Sequence, residues 1–433
     1  MISTATPIGN TDRISGLDVA RGFALLGILI MNSTGMALYD SAFFNYQADG
    51  GTGILNFISW ASIAVYFEGA MRGLFSLLFG AGIVLFLGRL EQKQLLNAGD
   101  IHARRMLWLI VFGLINGILL MYPYDILMTY GVTGILLFPF RKLASKWLVL
   151  IASILLVVMT VGGFFEMQGY AEDQVAYDEA SAKLEAGEEL TEEEQESYDD
   201  WGEELAYWKG SEEEKAEQAE ELLKRGIPDH LGRAAEDFGD FLGGFFWLSL
   251  IDAACLILIG MAMARSGILM GSASSGTYWL LLTAGYGVGL TLGVWRAVDM
   301  WRLDFAVDAF DLHFTLYQAR RVALSIGHVG LIFLFVRSGA LRWLQDGLGA
   351  VGRMAFTNYL MQSVIQVFIW YGVGLGLHQK VERYEVMLVV IAIWVLQIIF
   401  SVLWLKTFRF GPLEWVWRAL TYVTIPPIKR SGA

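Results

Sequence analysis

The chain has 433 residues, 55% of them hydrophobic and 14% aromatic, with a mean hydropathy of +0.50, which excludes the ordinary soluble globular classes. Its net charge of −12 hides two regimes: residues 168–240 hold 25 of the 43 acidic residues and six Lys/Arg, a net −19, so the rest sums to +7. A single cysteine, Cys255, excludes an intramolecular disulfide and a cysteine-based zinc site and reads as a packing residue.

A helix crossing the hydrocarbon core needs ~20 mostly apolar residues at a rise of ~1.5 Å each. The first such run, 19–39, is preceded by one basic residue, Arg13, and followed by no small-residue cleavage site, so it reads as a retained span rather than a signal peptide. Asp18 and Arg21 open it, and Arg21, Leu25 and Asn32 share one helix face. Arg21 either faces an anion in a cavity or snorkels to the inner surface. A half-length run, 55–69, precedes the second span, 70–88. Glu68 and Arg72 stand four apart with Glu first, the favourable order for an intrahelical ion pair, and are also candidates for a substrate site. Spans 105–121, 125–140 and 147–167 follow; Asp125 is either a helix cap or a proton carrier.

The acidic segment comes next. Glu212–Leu223 and Lys183–Leu205 are rich in helix formers, and Tyr198, Trp201, Leu205 and Trp208 recur at helical steps as an aromatic stripe. The pattern predicts a solvated helical hairpin resting on the membrane surface; a lid over an outward-facing site is the alternative. Glu runs without calcium-loop spacing give no metal site.

Spans 241–264, 277–297, 316–336, 355–377 and 385–405 complete the set, with Asp252 in the middle of the first. Arg296, Arg302, Arg320 and Arg321 bracket an outer loop containing Asp299, Asp304, Asp308 and Asp311. Either local salt bridges neutralise these arginines or they form an anion site. His313 and His328 are candidate proton shuttles, with packing as the bland alternative. Asn358 and Gln362, one turn apart, and Gln366 and Gln397 either bond neighbouring helices or meet substrate. At the tail, Leu413, Trp417 and Leu420 share a face and predict an interfacial helix.

Loop charges orient the spans. Arg89, Lys93, Arg104 and Arg105 fall in one loop, Arg141, Lys142 and Lys146 in the next, and Arg337, Arg342 and Arg353 in a third. Lys406, Arg409, Arg418, Lys429 and Arg430 fall at the tail, while loops 40–54 and 122–124 carry no Lys or Arg. The positive-inside rule then puts both termini in the cytoplasm and the acidic segment outside. The expected fold is an all-α polytopic membrane helix bundle of about ten transmembrane helices. It divides into 1–167 and 241–407 as membrane bundle, 168–240 as an acidic extracytoplasmic helical insertion, and 408–433 as a cytoplasmic interfacial helix and tail.

The opening RISGLDVARGFALLGILIMN (Arg13–Asn32), FSLLFGAG (Phe75–Gly82), YDILMTYGVTGILLFPFRKL (Tyr124–Leu143), GRMAFTNYLMQS (Gly352–Ser363) and FRFGPLEWVWRALTY (Phe408–Tyr422) resemble the YeiB-like bacterial membrane family. The opening motif is in turn similar to those of the transmembrane acyltransferases. That resemblance implies an inner-membrane protein passing an acyl group from a cytoplasmic thioester, such as acetyl-coenzyme A, to an acceptor at the opposite face. In the O-acyltransferases a His follows the first-span Arg by eleven residues; here that position is Asn32, which cannot serve as a general base. His328, His313, Glu68 and Asp125 are the substitute catalytic candidates. Arg21, Asn32, Arg72, Arg320, Arg321, Asn358 and Gln362 are the substrate-binding ones. The rival expectation is a transporter or lipid-handling protein without covalent chemistry. Expected partners are membrane lipids and a small-molecule or lipid substrate, with self-association as a homo-oligomer left open and neither metal nor nucleic acid.

Overall fold

A computed structural model describes residues 15–92, 97–122, 125–307 and 311–430. The expectations at Arg13, Lys93, Tyr124 and Asp308, and the side chain of Asp311, lie outside the described residues.

The first helix, α1 (Ser15–Ala37), is the hub. Of its apolar window 72% is buried inside the protein, against 11% for α6 (Ser145–Glu185), whose Leu150, Ile154, Val157, Val161 and Phe165 stay exposed. A single helix with so wide an apolar exposed face is at home in lipid, not water. After α1 come α2 (Ile54–Ser62), α3 (Ala70–Gln92), α4 (Ala98–Leu114) and α5 (Ile126–Leu136). The two π-helical turns, Ile63–Phe67 and Ile115–Leu119, end α2 and α4. Each is followed by a buried carboxylate, Glu68 and Asp125 respectively.

Among the described residues eight helices are long and apolar enough to cross a membrane, counting α2 and α3 as one. Two expected spans are shorter. The 11 residues of α5 reach only ~16 Å, so the α4–α5 turn ends inside the bundle, covered by α9 (Ile227–Gly243), whose Phe238 packs with Ile118 and Met128. The second short one is α15 (Ala355–Trp370), 16 residues and ~24 Å.

The acidic segment differs from the expected hairpin. Its first part is a continuation of α6, so the boundary at 168 falls within one 41-residue helix. Then come α7 (Glu192–Lys209), α8 (Glu212–Leu222) and α9. Thr191 and Glu194 form a capping box at the start of α7, and Lys183 Nζ reaches Glu194 Oε1 at 2.5 Å. The aromatic stripe lies on protein rather than on a membrane surface. Tyr198 stacks on Tyr177 of α6 with ring centres 4.7 Å apart, and Trp201 Nε1 donates to Gln174 Oε1 at 3.1 Å. Trp208 enters an aromatic cluster with Tyr46, Trp60 and Phe305, donating to the Phe305 carbonyl at 2.7 Å. The Gly372 amide donates to the Leu222 carbonyl at 2.9 Å, so the segment is docked as a cap on the loop at 371–382.

The chain continues through α10 (Phe245–Arg265), α11 (Ser275–Arg302), α12 (Asp311–Thr315), α13 (Tyr317–Ser338), α14 (Arg342–Arg353), α15, α16 (Arg383–Thr407) and α17 (Pro412–Tyr422). The apolar face of α17 meets protein. Leu413, Trp417 and Leu420 pack against the protein core, and Trp417 Nε1 donates to the Arg105 carbonyl at 3.0 Å.

Candidate functional site

The sequence blocks with the family resemblance meet at the arginine-rich end of the bundle. Gly22 of α1 and Gly352 of α14 lie at a helix crossing so close that a Cβ on either would collide with the other helix's backbone. That crossing puts Arg21 beside Gly352, to whose carbonyl its Nη1 donates at 3.4 Å, while the same atom pairs with Asp18 at 3.0 Å. Glu414 of α17 accepts from the amides of Phe356 and Thr357 at 2.7 and 3.0 Å and from the Thr357 hydroxyl at 2.6 Å. It thereby caps the exposed N–H groups at the start of α15.

These contacts frame a cavity of about 280 Å³. Five arginines line it, Arg21, Arg89, Arg105, Arg353 and Arg418, against the carboxylates Asp18 and Glu414. Arg105 is clamped between the rings of Phe86 and Trp417, 4.5 and 4.4 Å from their centres, which holds a cation without neutralising it. Phe75, Leu78, Phe79 and Leu109 make an apolar wall, and Tyr130 and Tyr359 line it toward the α4–α5 turn. An arginine set with an apolar wall suits an amphipathic anion: charge held by the guanidiniums, chain against the wall.

His102 also lines the cavity and was missed in the sequence, where it reads as part of a basic loop. Its Nε2 lies 2.9 Å from the Gly134 carbonyl. A carbonyl only accepts, so Nε2 carries the proton and Nδ1 keeps a lone pair, buried and without a protein partner.

Of the catalytic and substrate-binding candidates named from the sequence, only Arg21 lines this cavity. Asn32 lies ~16 Å further along α1 and does not. Asp125 caps α5: its Oδ2 accepts from the amides of Leu127 and Met128 at 2.6 and 3.0 Å, and its Oδ1 from Asn116 Nδ2 at 2.7 Å. Asn358 donates to Ser401 Oγ at 2.9 Å and Gln362 to Gln397 Oε1 at 2.9 Å, so these amides pin α15 to α16 rather than meeting the cavity. His328 sits among Phe23, Tyr66 and Tyr286, its Nδ1 at 2.5 Å from the Leu324 carbonyl.

The expected Glu68–Arg72 pair does not form. Gly69, at φ +70°, breaks the helix between them and turns the two side chains to different partners. Glu68 pairs with Arg296 and, at 3.2 Å, with Arg320, which also donates to the Ala64 carbonyl in the π turn. Arg72 pairs with Asp252 Oδ2 at 3.2 Å, and Arg321 with Asp252 Oδ1 at 2.5 Å. His313 pairs with Asp299 at 3.2 Å. Arg21, Glu68, Arg320 and His328 therefore do not share one pocket. Among the described residues no group of three or more His, Cys, Asp or Glu could hold a metal ion.

The fold and the exposed apolar belt define a multi-pass helical membrane protein. Residues 263–424 match the family described as "Protein of unknown function (DUF418)". Over 94% of its length the chain is 29% identical to the uncharacterized protein YeiB of Escherichia coli (strain K12), covering 95% of that protein. It is 28% identical to the uncharacterized protein YxaH of Bacillus subtilis (strain 168), over 99% of each chain. No solved structure matches the chain. The chain is thus similar to the YeiB-like proteins over nearly its whole length, and residues 263–424 carry the family match.

Proposed function

We propose that the protein is an acyltransferase-like protein of the bacterial inner membrane, which takes an acyl thioester from the cytoplasm and passes the acyl group across the bilayer. The observation that supports this reading is the cavity: arginines at the end that the positive-inside rule makes cytoplasmic, and an apolar wall behind them. In this reading Arg21, Arg105 and Arg418 hold the donor's phosphates, and the thin arm bearing the thioester runs along Phe75 and Phe79. A space of about 280 Å³ takes one flexible chain and leaves a nucleotide at the rim.

The reaction needs a group to take the acceptor's proton. The acceptor's O–H or N–H attacks the thioester carbonyl carbon, the C–S bond breaks, and the departing thiolate receives the proton the acceptor sheds. His102 is the group best disposed for that relay, because Nδ1 is free to accept while the Gly134 carbonyl fixes the ring. Asp125 is poorly suited, since three donors already occupy its carboxylate.

Purified protein incubated with radiolabelled acetyl-coenzyme A tests the reading. Labelled product or labelled protein supports it. Saturable binding with no transfer identifies a carrier without covalent chemistry, and no binding removes both.

A further inference from the structure

Deep in the opposite half of the bundle, four arginines share two carboxylates. Arg296 and Arg320 flank Glu68, and Arg72 and Arg321 flank Asp252. Both carboxylates and three of the four guanidiniums are buried, with side-chain exposures of 10% or less; Arg72 keeps 33%. None of these six side chains lines the cavity described above. Among the described residues the cluster sets four guanidiniums against two carboxylates. Among the described residues, Asp299 of the same region is 30% exposed and paired with His313. A surplus of this kind in a membrane interior calls for a counter-charge.

The geometry shows where that charge would sit. Arg321 is 0% exposed and spends Nη1 on Asp252, while its Nε and Nη2 have no hydrogen-bond partner in the protein. Nε and Nη2 are the two donors on one edge of a guanidinium, parallel and spaced to meet two oxygens of one oxyanion. The Nε of the adjacent Arg320 is likewise unpartnered. The Tyr317 ring centre lies 5.6 Å from both guanidinium carbons, which holds the pair side by side. The backbone of Gly69 presses against both Tyr317 and Arg321, so that a Cβ there would stand 2.5 Å from the Tyr317 hydroxyl and 3.0 Å from Arg321 Cδ. Beside its salt bridge to Asp252, the fork keeps one edge of donors unused.

We propose that Arg321, with Arg320 beside it, is a binding site for a carboxylate or phosphate group, separate from the cytoplasmic cavity. Arg72 is the least buried of the four arginines, and on this proposal it marks the side of entry. The site does not depend on acyl transfer: its failure would leave the thioester reading standing, and the reverse also holds.

Thermal unfolding of the detergent-solubilised protein at constant ionic strength tests it, with sodium acetate, phosphate or chloride as the varied salt. The expected result is saturable stabilisation by acetate or phosphate and a response at least tenfold weaker to chloride. Arg321→Lys keeps the charge and loses the fork, so it should weaken the oxyanion response tenfold or more and leave the chloride response alone. Equal responses to all three salts in the wild-type protein, together with no stabilisation by short-chain phosphatidic acid, overturn the proposal without any variant. So does an Arg321→Lys protein that folds and responds like the wild type. Short-chain phosphatidic acid in place of phosphate separates the sources: stabilisation by the lipid alone assigns the group to a lipid headgroup, and stabilisation by free anion assigns it to a soluble one.

Discussion

Gly22 and Gly352 touch across the α1–α14 crossing, and neither has room for a Cβ against the other helix's backbone. Because Arg21 follows from that contact, packing and the cationic rim are one structural unit. Gly352→Val is expected to destabilise the protein by at least ~1–3 kcal/mol, the usual cost of overpacking, since here backbone must move. Denaturant unfolding in detergent measures this. Unchanged stability would mean that the two helices are not held together in solution as closely as described.

Asp252 is the shared partner of Arg72 and Arg321. Removing it as Asp252→Leu leaves both cations without an acid and should cost ~3–5 kcal/mol, the range for breaking a buried ion pair on one side. The double variant with Arg72→Met should recover part of that loss. A double-mutant cycle with no coupling would dissolve the pairing.

The rim should behave as separate point contacts to a polyanion. Arg21→Ala and Arg418→Ala are each expected to weaken binding of acetyl-coenzyme A about tenfold, equivalent to ~1.4 kcal/mol, while leaving the fold intact. Equilibrium binding at two salt concentrations checks it, and the salt dependence should fall in both variants.

The cap should loosen in acid. His378 lies in the outer loop with Nδ1 2.9 Å from the Met36 carbonyl, near Asp49, Arg233 and Lys380. Burial holds its pKa below the ordinary 6.5, opposed by the Met36 hydrogen bond. A depressed histidine takes up its proton more readily unfolded than folded. Its contribution is therefore complete above about pH 6.5 and declines as the pH falls through the folded value. Proteolysis of the segment after α6 should accelerate below pH 6.5, and His378→Gln should flatten that dependence.

The spans were legible because a 3.6-residue helix in lipid needs a long apolar run, and each predicted run is occupied by a helix. The lengths of α5 and α15 were not, since a helix buried among others need not reach both surfaces. Pairing was legible only where it is local. The Glu68–Arg72 spacing predicted a bond, but Gly69, plain in the sequence between them, takes a left-handed conformation that breaks the register. The partner of Glu68, Arg296, is 228 residues away, beyond the reach of any periodicity. Arg105 read as a loop charge because nothing local reveals that α17 folds back over it, and His102 carried no signal of its own. The aromatic stripe of α7 was correctly patterned, but periodicity names a buried face without naming what buries it.

Transfer from radiolabelled acetyl-coenzyme A, compared between wild type and His102→Ala, tests the central claim most directly. The account predicts label appearing in product or protein with the wild type, and donor binding retained but transfer lost in the variant. Binding with no transfer by the wild type, or transfer undiminished in His102→Ala, would contradict it.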